Sequence, residues 1–340
     1  MTFASKTRRA LAAALAVSAV TFGTVACSDA TNHTNAEANN STITITHSMG
    51  QTDVPKNPKR IVTMSSTWTD ALMSLDVPIT AEVVSTSMNG TQRFPWQDAS
   101  AFTDTERIEY GMDMNDVSIE KILALKPDVI LAGWVPDKKF YDRLSDIAPT
   151  VPVLQKDTGV DDWHEITRLA GRITGKEEQA EQLVKTVDDK FAENKKDLPN
   201  LQGKTFTWGM YVGGSFSVVA DQNDPSNEIL SSLGMKVPEK QVQAAKGDAR
   251  TSISAENVDL LNADFMLMWA IDGNPDNVPG YKELPVVKDK RTLRIGENES
   301  NATSLSSAAS LMWAMDRIIP ALKSINDGTA VQQLPDVASL

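Results

Sequence analysis

Residues 118–131 read SIEKILALKPDVIL, and residues 254–267 read SAENVDLLNADFML. Aligned without a gap, the two segments are identical at several positions, among them Ser118 and Ser254, Glu120 and Glu256, Leu125 and Leu261, and Asp128 and Asp264. Each segment predicts a helix with a serine N-cap and a glutamate in its first turn, followed by a buried strand. Because the pattern occurs once in each half of the chain, it predicts two pseudo-symmetric lobes.

Around the first segment, strands alternate with helices. The predicted strands are 43–46, 60–64, 80–84, 128–132 and 151–154, and a turn-rich stretch with Gly50, Pro55 and Pro58 separates the first two. The predicted helices are 69–75, 118–125 and 137–147. This alternation is typical of an α/β fold in which a parallel or mostly parallel sheet is covered on both faces.

The alternation breaks at two consecutive predicted helices, 161–173 and 176–196, and the second would span roughly 30 Å. Strands then resume at 205–211, 216–219 and 265–269, with helices at 227–233, 255–261 and 307–322. The simplest organisation is an N-terminal α/β lobe over 42–174, a bridging helix over 175–199 and a C-terminal α/β lobe over 200–340.

The N-terminus predicts an export signal. Basic residues at Lys6, Arg8 and Arg9 precede an apolar run of about half the ~20 residues that a transmembrane helix needs. Cys27 is the only cysteine, and in an exported chain it could be a free thiol or form an intermolecular disulfide. Its position directly after a run of small residues favours instead a cysteine at a signal-peptide cleavage site.

The segment ending at Cys27 resembles a bacterial lipoprotein signal, although Thr24 stands where such signals usually carry leucine. The resemblance implies a signal peptide over 1–26, a lipid anchor on Cys27 and attachment to the outer face of the cytoplasmic membrane. Simple secretion is the alternative. The polar stretch that follows, within 27–41, predicts a flexible tether.

Composition excludes several classes of function. Loss of residues 1–26 takes the net charge from −12 to −15, which argues against nucleic-acid binding. Three histidines, no paired cysteines and no G-x-S-x-G or H-E-x-x-H motif argue against an enzyme and against a metal site made by the protein itself.

Ligands of open α/β sheets bind at the carboxyl ends of the strands, and four tryptophans fall where predicted strands end: Trp68, Trp134, Trp208 and Trp269. The loop after strand 80–84 adds Met88, Arg93 and Trp96 as candidate ligand-binding residues, and Tyr211 and Arg250 are further candidates. Arginine beside aromatic rings suits an anionic, ring-bearing ligand. Each tryptophan could instead be a core residue, and Arg93 could be a solvated surface arginine.

From residue 43 onward the chain resembles the solute-binding proteins of ABC importers for iron–siderophore complexes, which share their fold with the vitamin B12 binding proteins. Four segments carry the resemblance: GQTDVPKNPKRIV at 50–62, SIEKILALKPDVILAG at 118–133, WHEITRLAGRITGKEEQAEQL at 163–183 and TSLSSAASLMWAMDRIIPAL at 303–322. The resemblance implies two Rossmann-like lobes joined by a single long rigid helix, with the ligand cleft between the lobes.

The resemblance also implies a monomer that works with an ABC permease dimer and its cytoplasmic ATPases, and that needs no cofactor. Glu120 and Glu256 fall on the positions where this family pairs with permease arginines, although a glutamate in a helix's first turn can simply stabilise that helix. The implied ligand is a ferric siderophore, whose chemical class the sequence leaves open.

Two other functions stay open. A haem receptor of the same fold would need an iron ligand, for which Tyr110 and Tyr211 are the candidates. A surface interaction protein would bind no small molecule and would tolerate loss of the two glutamates. A secreted hydrolase on a similar scaffold is disfavoured, because no nucleophile–base pair is recognisable.

Overall fold

A computed structural model describes residues 41–87, 93–156 and 159–337. The predictions made for 1–26, for the tether up to residue 40, for Cys27 and for Met88 lie outside these residues. Within the described ranges, no helix combines the length and the apolarity needed to cross a bilayer.

The domain begins with an antiparallel hairpin of two strands, β1 (Thr42–His47) and β2 (Gly50–Pro55). The alternation of buried and exposed residues in β1 is as predicted. The prediction of a turn-rich stretch was wrong for β2, because the GQTDVP backbone pairs with β1 along its whole length. Pairing with a neighbour outweighs the low strand propensity of Gly, Asp and Pro.

The N-terminal lobe contains a five-stranded parallel sheet in the order β5-β4-β3-β6-β7. Its strands are β3 (Ile61–Thr63), β4 (Ala81–Ser85), β5 (Glu106–Tyr110), β6 (Val129–Gly133) and β7 (Thr150–Pro152). The helices of this lobe are α1 (Ser66–Ser74), α2 (Ile119–Ala124) and α3 (Lys138–Ser145), with 3₁₀ turns at Ala99–Phe102 and Met114–Asp116. Buried side chains fill both faces of the sheet, as expected of a parallel sheet.

Helix α4 (Trp163–Thr174) completes this lobe, and α5 (Glu177–Asp197) follows and packs against it. Gly171 permits their close approach, since a Cβ at this position would lie 2.6 Å from the Cβ of Ala180. The 21 residues of α5 span about 31 Å.

Helix α5 belongs to the cores of both lobes. Ala180 lies in the N-terminal core, whereas Val184 and Phe191 lie in the C-terminal core. Leu183, between them, packs against both cores. The predicted long helix therefore exists, and it is a shared wall of the two lobes.

The C-terminal lobe repeats the strand order of the first, as β10-β9-β8-β11-β12. Its strands are β8 (Phe206–Val212), β9 (Ser215–Val219), β10 (Arg250–Ile253), β11 (Phe265–Ala270) and β12 (Thr292–Ile295). Strands β8, β11 and β12 are parallel to one another, but β9 runs antiparallel to both β8 and β10. The C-terminal sheet is therefore mixed, and Gly213 and Gly214 form the turn between β8 and β9.

Helices cover this second sheet. They are α6 (Glu228–Ser232), α7 (Glu239–Ala245), α8 (Pro285–Lys288), α9 (Glu297–Ser304) and α10 (Ala308–Asn326). Short 3₁₀ turns occur at Pro199–Leu201, Pro225–Asn227, Pro275–Asn277 and Tyr281–Glu283. The helix predicted over 255–261 is a 3₁₀ segment, Ala255–Leu261, with a kink at Asn257.

The two similar segments, 118–131 and 254–267, which we call the echo segments, occupy equivalent positions in the two lobes. Each contains an aspartate that fixes the start of the central strand of its sheet: Asp128 Oδ2 accepts the backbone N–H of Lys59 and of Arg60, both at 2.8 Å. Asp264 Oδ2 accepts the backbone N–H of Thr205, also at 2.8 Å. The sequence repeat thus reflects a structural repeat in which the start of β6 is tied to the start of β3, and that of β11 to that of β8.

Candidate ligand-binding site

A cavity of about 340 Å³ lies at the carboxyl edge of the N-terminal sheet, where open α/β sheets bind ligands. It is lined by residues at or just beyond the ends of β3, β4, β5, β6 and β7, and by the first turn of α1: Met64, Ser65, Ser66, Thr67, Trp68, Ser85, Tyr110, Gly133, Trp134 and Val153 among others. Leu305 is the lining residue from the C-terminal lobe, so the cavity lies between the lobes but is built mainly by one of them.

Gly133 shapes the cavity at the end of β6. Its φ of +64° lies in the left-handed region, and a Cβ here would stand 2.7 Å from the Cβ of Ser65. Only glycine allows β6 to approach the start of α1 so closely. The next residue, Trp134, is then turned out to the cavity rim, where it is 48% exposed.

Aromatic side chains form much of the wall. Trp68 is 1% exposed, and its indole Nε1 makes no hydrogen bond to any residue that the structure describes. Phe94 lines the cavity and stacks on Trp96 with ring centroids 4.5 Å apart. Tyr110 completes this side, and burial raises the pKa of its phenol. A flat or ring-bearing ligand would find stacking partners on several sides.

A buried ion cluster lies beside these rings. Glu82, in β4, is 3% exposed and lines the cavity. It pairs with Arg93 at 2.7 Å and with Arg107 at 3.4 Å. Arg93 also stacks its guanidinium on Phe102, 3.5 Å from the ring centroid, and Arg107 pairs with the exposed Glu109 at 3.1 Å. Both arginines therefore have carboxylate partners within the protein.

Asp70, in α1, ties the two lobes together behind the cavity. It is 2% exposed and accepts hydrogen bonds of 2.7 Å from Trp96 Nε1, Gln97 Nε2 and Ser307 Oγ. Ser307 is the N-cap of α10 in the C-terminal lobe. Burial raises the pKa of Asp70 to about 6, against the lowering effect of these three donors.

A second buried carboxylate, Asp161, lines the cavity near the start of α4. Its Oδ1 accepts the backbone N–H of Leu154 at 2.7 Å. Burial raises its pKa to about 6, and the nearby carboxylates of Glu165 and Asp162 act in the same direction.

The structure brings four of the predicted ligand-binding residues to this region. Trp68 and Trp134 line the cavity, Arg93 pairs with the lining Glu82, and Trp96 holds the loop beside it. Trp96 itself contacts Trp313 of the C-terminal lobe, so it bridges the lobes.

The structure places the remaining described candidates elsewhere. Trp208 is 2% exposed in the C-terminal core, since β8 extends four residues beyond it and it does not end the strand. Tyr211 packs against Phe216, and Arg250 contacts Ser226 and Asp224. These three side chains are thus engaged by the C-terminal lobe itself.

Trp269 lines a separate pocket of about 220 Å³ at the ends of β11 and β12. Arg294 shares this pocket and pairs with Asp276 at 2.7 Å. The pocket is built from the C-terminal lobe alone, and Trp269 does not line the larger cavity.

Sequence reasoning missed Glu82, Arg107, Asp70, Asp161 and Phe94. Glu82 carried a usable signal, because it interrupts the apolar stretch of β4, and Asp70 directly precedes the apolar Ala71, Leu72 and Met73 of α1. A charged residue inside a buried element is costly without partners, so such positions indicate a polar network or a site.

Glu120 and Glu256 are both exposed in the first turns of the two echo helices. Ser118 caps α2 by accepting the backbone N–H of Lys121, and its hydroxyl also reaches Glu120 Oε2 at 3.3 Å. The structure therefore presents one glutamate on each lobe at equivalent positions of the repeat.

Comparisons with known proteins agree with this architecture. The relative named "Probable siderophore-binding lipoprotein YfiY" from Bacillus subtilis is 28% identical over 263 residues, 74% of this chain and 77% of that protein. The ferric enterobactin-binding periplasmic protein FepB of Escherichia coli is 27% identical over 273 residues, 74% and 83% of the two chains.

Among solved structures, Staphylococcus aureus SirA complexed with staphyloferrin B superposes with a TM-score of 0.68 at 27% identity, covering 83% of this chain and 98% of that one. Residues 61–291 match the family described as Periplasmic binding protein. With the two-lobed α/β fold and the cavity between its lobes, this match shows that the chain belongs to the Periplasmic binding protein family.

Proposed function

We propose that this protein captures a ferric siderophore outside the cell and delivers it to the permease of an ABC importer. The observation that carries the proposal is the cavity at the carboxyl edge of the N-terminal sheet, walled by Trp68, Trp134, Phe94 and Tyr110. Relatives that share the fold over most of their length are named for siderophore or iron-complex binding.

The chemistry of the wall suits a ligand that brings its own iron-binding groups. A siderophore encloses Fe³⁺ and presents an organic surface, which aromatic rings bind by stacking and hydroxyls by hydrogen bonds. The hydroxyls of Ser65, Ser66 and Thr67, in the first turn of α1, stand at the cavity beside the rings. The protein then acts as a receptor and performs no chemistry on the ligand.

Binding is tested with the mature chain from Cys27 onward, titrated with ferric siderophores while tryptophan fluorescence is recorded. Trp134 is the natural reporter, because it is half exposed at the cavity rim. We expect saturable quenching by a ferric siderophore at sub-micromolar concentration, and none by the iron-free form at the same concentration. Absence of binding by every ferric siderophore tried would refute the receptor function.

Delivery to the permease would use Glu120 and Glu256 as a docking pair. Their support is the repeat itself, which sets an exposed carboxylate at the same position of each lobe, as a two-fold permease requires. Reversing both charges (E120K with E256K) should abolish uptake while leaving ligand affinity unchanged. Reversal of the exposed Glu178, on α5, is the matched control and should leave uptake intact.

Membrane attachment would use a lipid on Cys27, which the resemblance to a lipoprotein signal supports. In cells, the wild-type protein should partition with membranes and carry a diacylglycerol-modified N-terminal cysteine by mass spectrometry. The C27S variant should appear in the medium or the soluble fraction. Unmodified protein in the soluble fraction of wild-type cells would refute the anchor.

A haem receptor is the second candidate, and the observation in its favour is Tyr110 in the cavity wall. A tyrosine ligates ferric haem as the phenolate, whereas burial raises the pKa of this phenol and so favours its protonated form. The siderophore receptor is therefore preferred. A Soret shift on mixing with haemin, lost in Y110F, would reverse the preference.

A further inference from the structure

The arginines at the cavity form ion pairs with a carboxylate of the protein itself. Glu82 lies between Arg93 and Arg107, at 2.7 Å and 3.4 Å, and is almost fully buried. The two arginines are thereby committed to a carboxylate of the same lobe. A ligand anion that approached either guanidinium would compete with Glu82 and would be repelled by it.

The remaining charged group in the described wall has the wrong sign for an anion. Asp161 lines the cavity and, with a pKa of about 6, is mainly ionised at neutral pH. Glu82, Asp161 and Arg107 line the cavity, and Arg93 pairs with Glu82 without lining it. The charges of these four side chains sum to zero, and the rest of the described wall consists of rings, aliphatic groups, thioethers, hydroxyls and the amide of Gln97.

Ferric siderophores divide by charge. Three hydroxamates are each singly negative, so a ferric trihydroxamate is neutral. Three catecholates are each doubly negative and leave the ferric complex with three negative charges. A complex of that kind loses its hydration when it enters a partly enclosed, apolar site, and it needs free cations in return.

We propose that the ligand is a neutral ferric complex of the trihydroxamate type, and that Glu82 is the residue that excludes strongly anionic complexes. This inference rests on the proposed siderophore-receptor function. Ser65 makes no side-chain cap on α1, so the backbone N–H groups of the first turn are donors that suit the carbonyl and hydroxamate oxygens of such a ligand.

The first test compares three ferric complexes on the wild-type protein by fluorescence titration: ferrichrome as the neutral trihydroxamate, and ferric enterobactin and ferric staphyloferrin B as anionic complexes. We expect ferrichrome to bind at least about 30-fold more tightly than either anion. Its Kd should change by less than about twofold between about 50 mM and 500 mM NaCl, because a neutral ligand makes no screened charge contact.

Tighter binding of either anionic complex would overturn this inference while leaving the receptor function standing. Binding of none of the three, nor of any other ferric siderophore, would instead refute the receptor function. The two failures are therefore distinguishable without any variant.

The second test removes the negative charge of Glu82. In E82Q the two arginines lose their shared carboxylate charge, so affinity for ferric enterobactin should rise about tenfold and affinity for ferrichrome by less than about threefold. The control is E109Q, which removes the exposed partner of Arg107 and should alter either affinity by less than about threefold. An E82Q protein that is folded by circular dichroism, yet shows no gain for the anion, would overturn the role given to Glu82.

Discussion

The two lobes share one strand order and differ at the edge where a ligand binds. In the N-terminal lobe, β3 is followed by α1, the sheet is wholly parallel, and the space between the ends of β3 and β6 is open. In the C-terminal lobe, β8 turns directly into the antiparallel β9. The equivalent space is bridged by hydrogen bonds from Gly213 N to Asp272 Oδ1 at 2.7 Å and from Ile271 N to Tyr211 O at 2.9 Å.

The difference shows that strand order alone does not make a binding site. A helical crossover leaves the carboxyl end of its strand at the edge of the sheet, whereas a hairpin carries the strand onward and brings a neighbouring loop over it. One lobe therefore supplies most of the cavity, and the other supplies Leu305 and the contacts of Ser307 and Trp313 that hold it in place.

The largest effect is expected from a matched pair of glycines at this edge. Gly133 and Gly213 have φ values of +64° and +57°, but only Gly133 lacks room for a Cβ. G133A should lower the free energy of unfolding by about 3 to 4 kcal/mol, and G213A by about 1 kcal/mol. Urea denaturation measures both. Equal losses of unfolding free energy would show that a Cβ is accommodated equally well at the two positions.

The junction between the lobes should respond to pH through Asp70. Its pKa of about 6 in the folded protein lies above the value of about 4 in an unfolded chain, so protonation favours folding. Its stabilising contribution, on the order of 3 kcal/mol, is present below about pH 4 and is lost as the pH rises through 6.

The variant D70N, which cannot titrate here, isolates that contribution. Relative to it, the wild-type protein should gain about 2.4 kcal/mol of unfolding free energy between pH 7 and pH 4, measured by urea denaturation at each pH. Parallel pH profiles for the two proteins would show that the carboxyl group is not perturbed at this junction.

Replacing the pocket tryptophan of each lobe should affect ligand affinity to different extents. W134A removes a half-exposed ring from the cavity and should raise Kd about 30-fold, or about 2 kcal/mol. W269A changes only the pocket of the C-terminal lobe and should raise Kd by less than about threefold. Because both changes remove fluorescence, calorimetric titration is the measurement. A larger loss for W269A would move the principal ligand contacts to the C-terminal lobe.

The smallest expected effect is on stability, and it concerns a feature that the two lobes share. Asp128 and Asp264 each fix the start of a central strand by accepting backbone N–H groups. D128A and D264A should each cost about 1 to 2 kcal/mol of unfolding free energy, because each leaves those donors unpaired. A clear inequality between the two, after correction for the ion pair of Asp128 with Arg60, would limit the structural repeat to strand order.

Much of the fold was predictable because local patterns and tertiary structure agree. The echo segments, the alternation of β1 and the length of α5 all follow from burial periodicity. The strands that were missed, β2, β5, β10 and β12, are short or polar, and each lies at the edge of its sheet. Such strands form because a partner strand is already present, and that information is not local.

The site was less predictable, for a physical reason. A tryptophan near a strand end can face the cavity, as Trp134 does, or the core, as Trp208 does, and the outcome depends on where the strand stops. The ion cluster of Glu82, Arg93 and Arg107 joins three separate parts of the chain, so no spacing in the sequence reveals it.

The packing of α5 in the cores of both lobes bears on how the lobes can move relative to each other. Because Leu183 packs against both cores, one lobe cannot rotate about this helix without sliding apolar side chains past each other. The resistance to opening is therefore set by close-packed surfaces rather than by the torsions of a flexible hinge. We therefore expect the ligand to enter the cavity with only a small change in the arrangement of the lobes, so that a partner distinguishing the loaded form would have to detect that small change.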